Sequence, residues 1–183
     1  MNFALIFKFL VENLAREKID FALMGGFALA TAGVTRTTRD IDLLILSVDS
    51  PKIKDIMAAH KYKLIHESED VLNFTSENFE LGRVDFLLAH RQYTLAMLKG
   101  AREKSVLDGK FKVKVLRAED QIGLKVQASS NDPKRVAQDM ADVRALIEAN
   151  RTNLNMETVR EYFSLFKREK ELDGILGEIE DVK

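Results

Sequence analysis

The 183-residue chain contains no cysteine. That absence excludes disulfides, thiolate metal ligands and a cysteine nucleophile together, and a cytoplasmic setting accords with it. The chain also lacks an excess of either charge: 28 Lys and Arg against 29 Asp and Glu leave a formal net charge of −1. No global field therefore marks it for nucleic acid, a membrane surface or an acidic partner, and a polyanion would need a local site. No apolar run is long enough to cross a bilayer. The opening stretch Met1–Glu12 is apolar, but Lys8 interrupts it, no basic segment opens it and no small-residue cleavage site follows. Phe3, Ile6, Phe7, Leu10 and Leu14 fall instead at helical spacing, which predicts a packing helix. Proline is scarce, and both prolines, Pro51 and Pro133, sit where a helix is expected to begin. With 46% hydrophobic and 31% charged residues, the composition is that of a soluble globular chain able to bury a core.

What is present divides into two patterns. After the opening helix, Phe21-Ala22-Leu23-Met24 reads as a short buried strand, Gly25-Gly26 as a turn, and Phe27 to Ala32 as a short helix. A loop from Gly33 to Arg39 feeds a strand over Asp40–Leu46, and Ser50-Pro51 opens a helix to His60. Strands are expected at Tyr62–Glu67, Val71–Thr75 and Glu80–Leu88, the last bent at Gly82. Asp108-Gly109 signals a hairpin between Ser105–Leu107 and Phe111–Leu116. From Ala118 the periodicity turns helical, over Ala118–Ser130, Pro133–Ala149, Met156–Arg168 and Glu169–Glu180, with Asp132 capping the second of these. The expected class is α/β (α+β): a mixed sheet flanked by helices, followed by a C-terminal helical region.

The chemistry begins at Asp40 and Asp42, which alternate with apolar residues in Asp40-Ile41-Asp42-Leu43-Leu44-Ile45-Leu46. Alternate strand residues share a face. Two like charges about 4 Å apart cost roughly 4 kcal/mol at an effective dielectric near 20. A proton or a cation relieves such a pair, and a divalent ion held by hard oxygen ligands is the natural relief. A third acid, Asp85, stands in a similar strand pattern, Arg83-Val84-Asp85-Phe86-Leu87, with Val84 and Phe86 on the opposite face. If the two strands pair, three carboxylates converge at one strand end. Gly25-Gly26, between a strand and a helix, let the backbone approach a ligand closely, although many such turns need glycine for conformation only.

The pattern Gly25-Gly26, Gly33, Arg36, Thr38, Asp40-Ile41-Asp42, with Asp85 downstream, resembles the nucleotidyltransferase superfamily typified by DNA polymerase beta. Within that superfamily it is similar to the minimal branch that includes AbiEii-type toxins and relatives of aminoglycoside nucleotidyltransferases. The motifs cover roughly residues 23–88, with a looser similarity through Ala118–Lys125. The resemblance implies a nucleotidyltransferase core over 1–117 and a helical region over 118–183 packed on it. It implies transfer of a nucleoside monophosphate from an NTP, with ATP as the default donor, to an acceptor hydroxyl, releasing pyrophosphate. On this chain Asp40, Asp42 and Asp85 would be the catalytic and metal-binding residues for Mg²⁺ or Mn²⁺, Asp85 serving the ion that activates the acceptor. Gly25 and Gly26 would hold the triphosphate, Arg36 would contact phosphate or support Asp40, and Lys125 would face the nucleotide phosphates. The acceptor stays open among a small molecule, a tRNA end and a protein hydroxyl, and the toxin relatives add a cognate antitoxin as a partner. The competing class is a non-catalytic nucleotide-binding or toxin–antitoxin interaction protein on the same fold.

Other candidates read as structural. Lys125 lies near the apolar side of its helix, where a lysine snorkelling from a packed face is the alternative to a phosphate ligand. Asp139 and Asp142 resemble a Lys-Asp-x-x-Asp pattern of relatives, with Gln138 in place of the lysine; Asp139 is expected to pair with Lys125 or a nearby arginine. Arg39 alternates away from the acid pair. His60, His66 and His90 show no ligand spacing, the serines lack a histidine partner, and Lys52, Lys54, Lys61 and Lys63 coat a helix and a strand start.

Overall fold

A computed structural model describes residues 1–181. The chain forms two compact units, one of Met1–Thr31 with Arg36–Leu116, the other of Ala32–Thr35 with Arg117 onward.

The first unit is built on a sheet with strand order β3-β4-β5-β2-β1-β7-β6. Its strands are β1 (Phe21–Met24), β2 (Asp40–Leu46), β3 (Lys63–Glu67), β4 (Val71–Thr75), β5 (Arg83–Ala89), β6 (Arg102–Val106) and β7 (Phe111–Val115). The sheet is mixed: β2 pairs parallel with β5 and β1 with β7, while the β1–β2, β3–β4, β4–β5 and β6–β7 pairs are antiparallel. One face is apolar because every second residue of β2 and β5 is. Ile41, Leu43 and Ile45 join Val84, Phe86 and Leu88 in a single core. The same core takes in Ile6, Phe7, Leu10 and Leu14 of α1 (Phe3–Arg16) and Ile53, Ile56 and Met57 of α3 (Ser50–Ala59). The helical spacing read at the N-terminus is thus the spacing that packs. By strand alternation Asp40, Asp42 and Asp85 are sent to the other face.

Local signals explain most element ends. Asn2 caps α1 through a side-chain bond to the Leu5 amide at 3.1 Å. The β6–β7 turn carries positive φ at Leu107, Asp108 and Gly109, consistent with the Asp-Gly hairpin signal. Several expectations change. The strand expected from Glu80 begins only at Arg83, because Gly82 (φ +59°) and the bonds from the Leu81 and Gly82 amides to the Asn78 carbonyl close a turn first. A helix α4 (Gln92–Gly100) fills a stretch whose weak amphipathic pattern gave no sequence signal; it is closed at its start by Arg91 and Thr94. The short α2 starts at Gly25 itself and runs to Thr31.

The second unit holds α5 (Ala118–Asn131), α6 (Val136–Asn150), α7 (Met156–Leu165) and α8 (Glu169–Asp181). Asp132 accepts from the Lys134 amide at 3.0 Å, but Pro133–Arg135 form a 3₁₀ turn and α6 starts only at Val136. The helix expected to run to Arg168 stops at Leu165, since Lys167 takes φ +57°. Within this unit, Asp120 is fully buried and doubly held. Arg117 donates to both its oxygens at 2.7 and 2.9 Å, and the Tyr162 hydroxyl donates at 2.8 Å. Burial first, and then the Asp120 charge, push the Tyr162 phenol upward, so it remains a donor. Gly123 admits the Tyr162 ring, for a Cβ there would lie 2.8 Å from it.

Removing the acceptor at the centre of this network should be costly. Asp120→Ala is expected to destabilise the protein by about 3 kcal/mol, and Tyr162→Phe by about 1–2 kcal/mol. Urea denaturation followed by far-UV circular dichroism measures both, and equal, negligible effects would contradict the assignment.

Candidate functional site

Register places the three acids. In the parallel β2–β5 pair, Asp42 lies directly opposite Asp85 and Asp40 opposite Arg83. In the antiparallel β4–β5 pair, Asn73 lies opposite Asp85, and across β1–β2, Met24 lies opposite Asp42. One row across the sheet therefore reads Asn73, Asp85, Asp42, Met24, with Gly25 next along the chain. Asp40, Asp42 and Asp85 each bring a carboxylate oxygen to within 4.8 Å of the other two, all three partly exposed. They form the group of metal-ligating type found among the described residues.

Polar neighbours hold Asp40 and Asp85. Thr38 donates its hydroxyl to Asp40 Oδ1 at 2.8 Å. Arg83 Nη2 stands 3.6 Å from Asp85 Oδ2, and its own side chain is half exposed. Burial pushes the Asp85 carboxyl upward; a hydrogen bond from Asn73 and the Arg83 charge draw it back down, and the Asp40 charge pushes it up again. Asp85 Oδ1 is buried and without a hydrogen-bond partner. An orphaned buried carboxylate oxygen beside two further carboxylates is a costly arrangement for the bare protein. Three hard oxygen donors with one open, desolvated atom are the ligand set that Mg²⁺ or Mn²⁺ takes.

The two glycines act on this cluster through space as well as backbone conformation. Gly25 has φ +65°, and a Cβ on it would come within 2.0 Å of Asp42 Oδ2. A Cβ on Gly26 would come within 2.6 Å of the Thr38 Cβ. So Gly25 makes room for Asp42, and Gly26 makes room for the threonine that holds Asp40. The sequence pattern had paired these glycines with phosphate; their fit against Asp42 and Thr38 is visible only once β1 and β2 pair.

Of the remaining sequence candidates, Arg36 is exposed in the segment before β2. Lys125, in the second unit, is largely buried and engaged twice, with Asp139 at 3.1 Å and Asp142 at 2.6 Å. Asp139 also accepts from Arg135 at 2.9 Å, and Gln138 donates to Asp142 at 3.2 Å. The pairing expected for Asp139 is therefore met by both a lysine and an arginine. His60 is satisfied, stacked on Phe9 with ring centroids 4.6 Å apart and its Nδ1 2.8 Å from the Ile56 carbonyl. Arg83 and Asn73 were missed as site residues. The signal for Arg83 was available, since it stands two residues before Asp85 on the same strand face. The signal for Asn73 was not, because it needs the β4–β5 register.

No protein-family model matches the sequence, and no curated protein matches it. Solved structures do. The solution structure of the antibiotic-resistance factor ANT(2'')-Ia matches with a TM-score of 0.67 over 97% of this chain and 100% of that one, at 16% identity. The crystal structure of ANT(2'')-Ia in complex with adenylyl-2''-tobramycin gives 0.66 over 90% and 95%, at 18% identity. The lincomycin-bound lincosamide antibiotic adenylyltransferase LnuA gives 0.52 over 76% and 93%, at 14% identity. The chain has the nucleotidyltransferase fold. Within that fold the acid triad sits on two neighbouring parallel strands, β2 and β5, and the glycine turn on the next strand, β1.

Two outcomes test the geometry. In metal-free protein, Asp85→Asn should raise stability, because burial pushes the Asp85 carboxyl upward. The sign follows from linkage: a carboxyl raised in the folded state contributes stability at low pH that is lost as pH rises through its folded value. The gap between variant and wild type should therefore open as pH rises above the ordinary carboxylate range, and Mn²⁺ should raise the wild-type melting temperature and leave the variant unmoved. Gly25→Ala should cost about 1–2 kcal/mol from positive φ alone and also abolish the Mn²⁺ shift by displacing Asp42. Thermal melts with and without EDTA read both.

Proposed function

We propose that the protein is a metal-dependent nucleotidyltransferase, moving a nucleoside monophosphate from an NTP to an acceptor hydroxyl with release of pyrophosphate. The observation that carries this reading is the in-register triad, three carboxylates within 4.8 Å with one buried oxygen lacking a partner. A binding module has no need of such repulsion, whereas in-line phosphoryl chemistry needs cations at both the entering and the leaving oxygen. The nucleotidyltransferase fold, matched over nearly the whole chain, supports the reading.

In this scheme Asp40 and Asp42 hold the divalent ions and Asp85 joins them on the acceptor side. Bound Mg²⁺ or Mn²⁺ would neutralise the departing pyrophosphate and make the acceptor hydroxyl more acidic. The acceptor oxygen forms its bond to the α-phosphorus, the bridge from that phosphorus to the β-phosphate breaks, and the acceptor proton passes to solvent. Thr38 keeps Asp40 oriented. The Gly25-Gly26 backbone lies against the triphosphate, where a side chain would block approach, and Arg36 meets its charge. Lys125 is assigned to the phosphates as well, in competition with Asp139 and Asp142 for its ammonium. ATP is the default donor. Among acceptors, small hydroxylated molecules come forward beside tRNA and protein hydroxyls, because one structure of this fold holds adenylyl-2''-tobramycin and another lincomycin.

Purified protein given each α-labelled NTP, Mg²⁺ or Mn²⁺, and a panel of tRNA, aminoglycosides, lincosamides and total cell extract should transfer label. The Asp40→Ala/Asp42→Ala double variant should lose this by roughly a hundredfold or more while remaining folded. Undiminished transfer in that variant would defeat the mechanism. Metal-independent NTP binding without transfer would favour a nucleotide-binding or antitoxin-partnered module instead.

A further inference from the structure

The two oxygens of Asp85 are treated differently. Oδ1 is buried and accepts nothing. Arg83 Nη2 approaches Oδ2 at 3.6 Å. The Asn73 side chain is also hydrogen-bonded to Asp85, and since Oδ1 has no partner, that bond falls on Oδ2 as well. An ionised carboxylate only accepts, so the Asn73 amide Nδ2–H is the donor.

Asn73 is an unusual residue for its place. Asparagine is depleted in strands, and the rest of β4 is Val71, Leu72, Phe74 and Thr75. Leu72 and Phe74 are buried in the core, and alternation turns Asn73, half-buried, to the face that carries the triad. Register sets it directly opposite Asp85. Side chains so paired start about 5 Å apart at Cβ, a span that a short amide bridges.

The residue type decides what this contact can do. Arg83 supplies charge, but at 3.6 Å from a half-exposed side chain it stands beyond an ordinary hydrogen bond. Asn73 supplies direction without charge. An acid in its place would repel Asp85, a lysine would compete with a cation for it, and an aliphatic residue would leave it free to turn. Thr38 treats Asp40 in the same way, a neutral hydroxyl donating to Oδ1 at 2.8 Å. Each acid is thereby oriented while its negative charge stays available to an ion. Outer donors of this kind fix the geometry of metal-binding carboxylates.

We propose that Asn73 is a positioning residue for Asp85, holding Oδ2 so that Oδ1 is left as the ligand atom for a divalent ion. This rests on the nucleotidyl-transfer reading, in which Asp85 serves the ion on the acceptor side. Asn73 itself touches neither ion nor substrate; it acts through Asp85.

The test titrates Mn²⁺ into the full chain without nucleotide and follows the free ion by electron paramagnetic resonance. Asn73→Leu removes the donor at similar size and should raise the Mn²⁺ dissociation constant by about 10- to 100-fold, the usual effect of losing an outer donor. Its metal-free urea midpoint should stay near wild type, because leucine suits a strand better and offsets the lost hydrogen bond. Asn73→Gln, which keeps the amide, should recover most of the Mn²⁺ affinity. In label transfer, Asn73→Leu should lower kcat with the NTP KM unchanged, since Asp40 and Asp42 keep their own supports. Unchanged Mn²⁺ affinity in Asn73→Leu overturns the proposal. So does a loss of affinity that follows a loss of stability and is not relieved by Asn73→Gln, which makes Asn73 structural only. If wild-type protein binds Mn²⁺ but labels nothing, the nucleotidyl-transfer reading falls and the role of Asn73 is decided by Mn²⁺ affinity alone. Wild-type protein that binds no Mn²⁺ overturns both.

Discussion

The parallel pairing of β2 with β5 is the constraint on which the candidate site depends. It sets Asp42 against Asp85 and Asp40 against Arg83, so three carboxylates share one end of one sheet face. The apolar alternation that buries Ile41, Leu43, Val84 and Phe86 on the opposite face fixes this register, since a slip by one residue would bury the acids instead. The hydrophobic core and the electrostatic strain thus have one cause. The stability that the core supplies is what allows the acids to remain close together.

The second unit handles buried carboxylates in the opposite way. Asp120 is gripped by Arg117 and Tyr162, and Asp139 and Asp142 share Lys125, with Arg135 and Gln138 completing their partners. Each of these charges is compensated within the chain, as a structural carboxylate in a low-dielectric setting must be. Around Asp85 the compensating cation is Arg83 at 3.6 Å, half exposed, and one oxygen is left without a partner. The same residue type is satisfied where it supports structure and left open where chemistry is proposed. That contrast within one molecule weighs more for a ligand site than the acidic cluster does alone.

Much of this was legible in the chain. The period-two pattern of Asp40–Leu46 and of Arg83–Leu88 marked two half-buried strands with acids on the shared face, and the spacing of Phe3, Ile6, Phe7, Leu10 and Leu14 marked the helix that covers the other. Asp108-Gly109 marked its hairpin. The failures have physical reasons. Gln92–Gly100 forms a helix although its apolar face is poorly separated, because Met97 and Leu98 are buried by tertiary packing rather than by local pattern. The start of β5 moved to Arg83 because the Asn78 turn claims Glu80 and Leu81, whose strand-like character could not reveal it. Of the two aspartates that pair with Lys125, Asp139 was expected from the sequence and Asp142, 17 positions away on the next helix, was not.

By itself the sequence determined which carboxylates share the exposed face, since acids alternating with apolar residues can lie only on the exposed face of a packed strand. It also determined that an α/β half precedes a helical half, since periodicity is a local property. Tertiary structure alone decided that Asp85 meets Asp42 and that Asn73 and Arg83 stand beside it, because strand order and register join residues tens of positions apart. It gave the glycines their second meaning, as the missing side chains that let Asp42 and Thr38 close on the site.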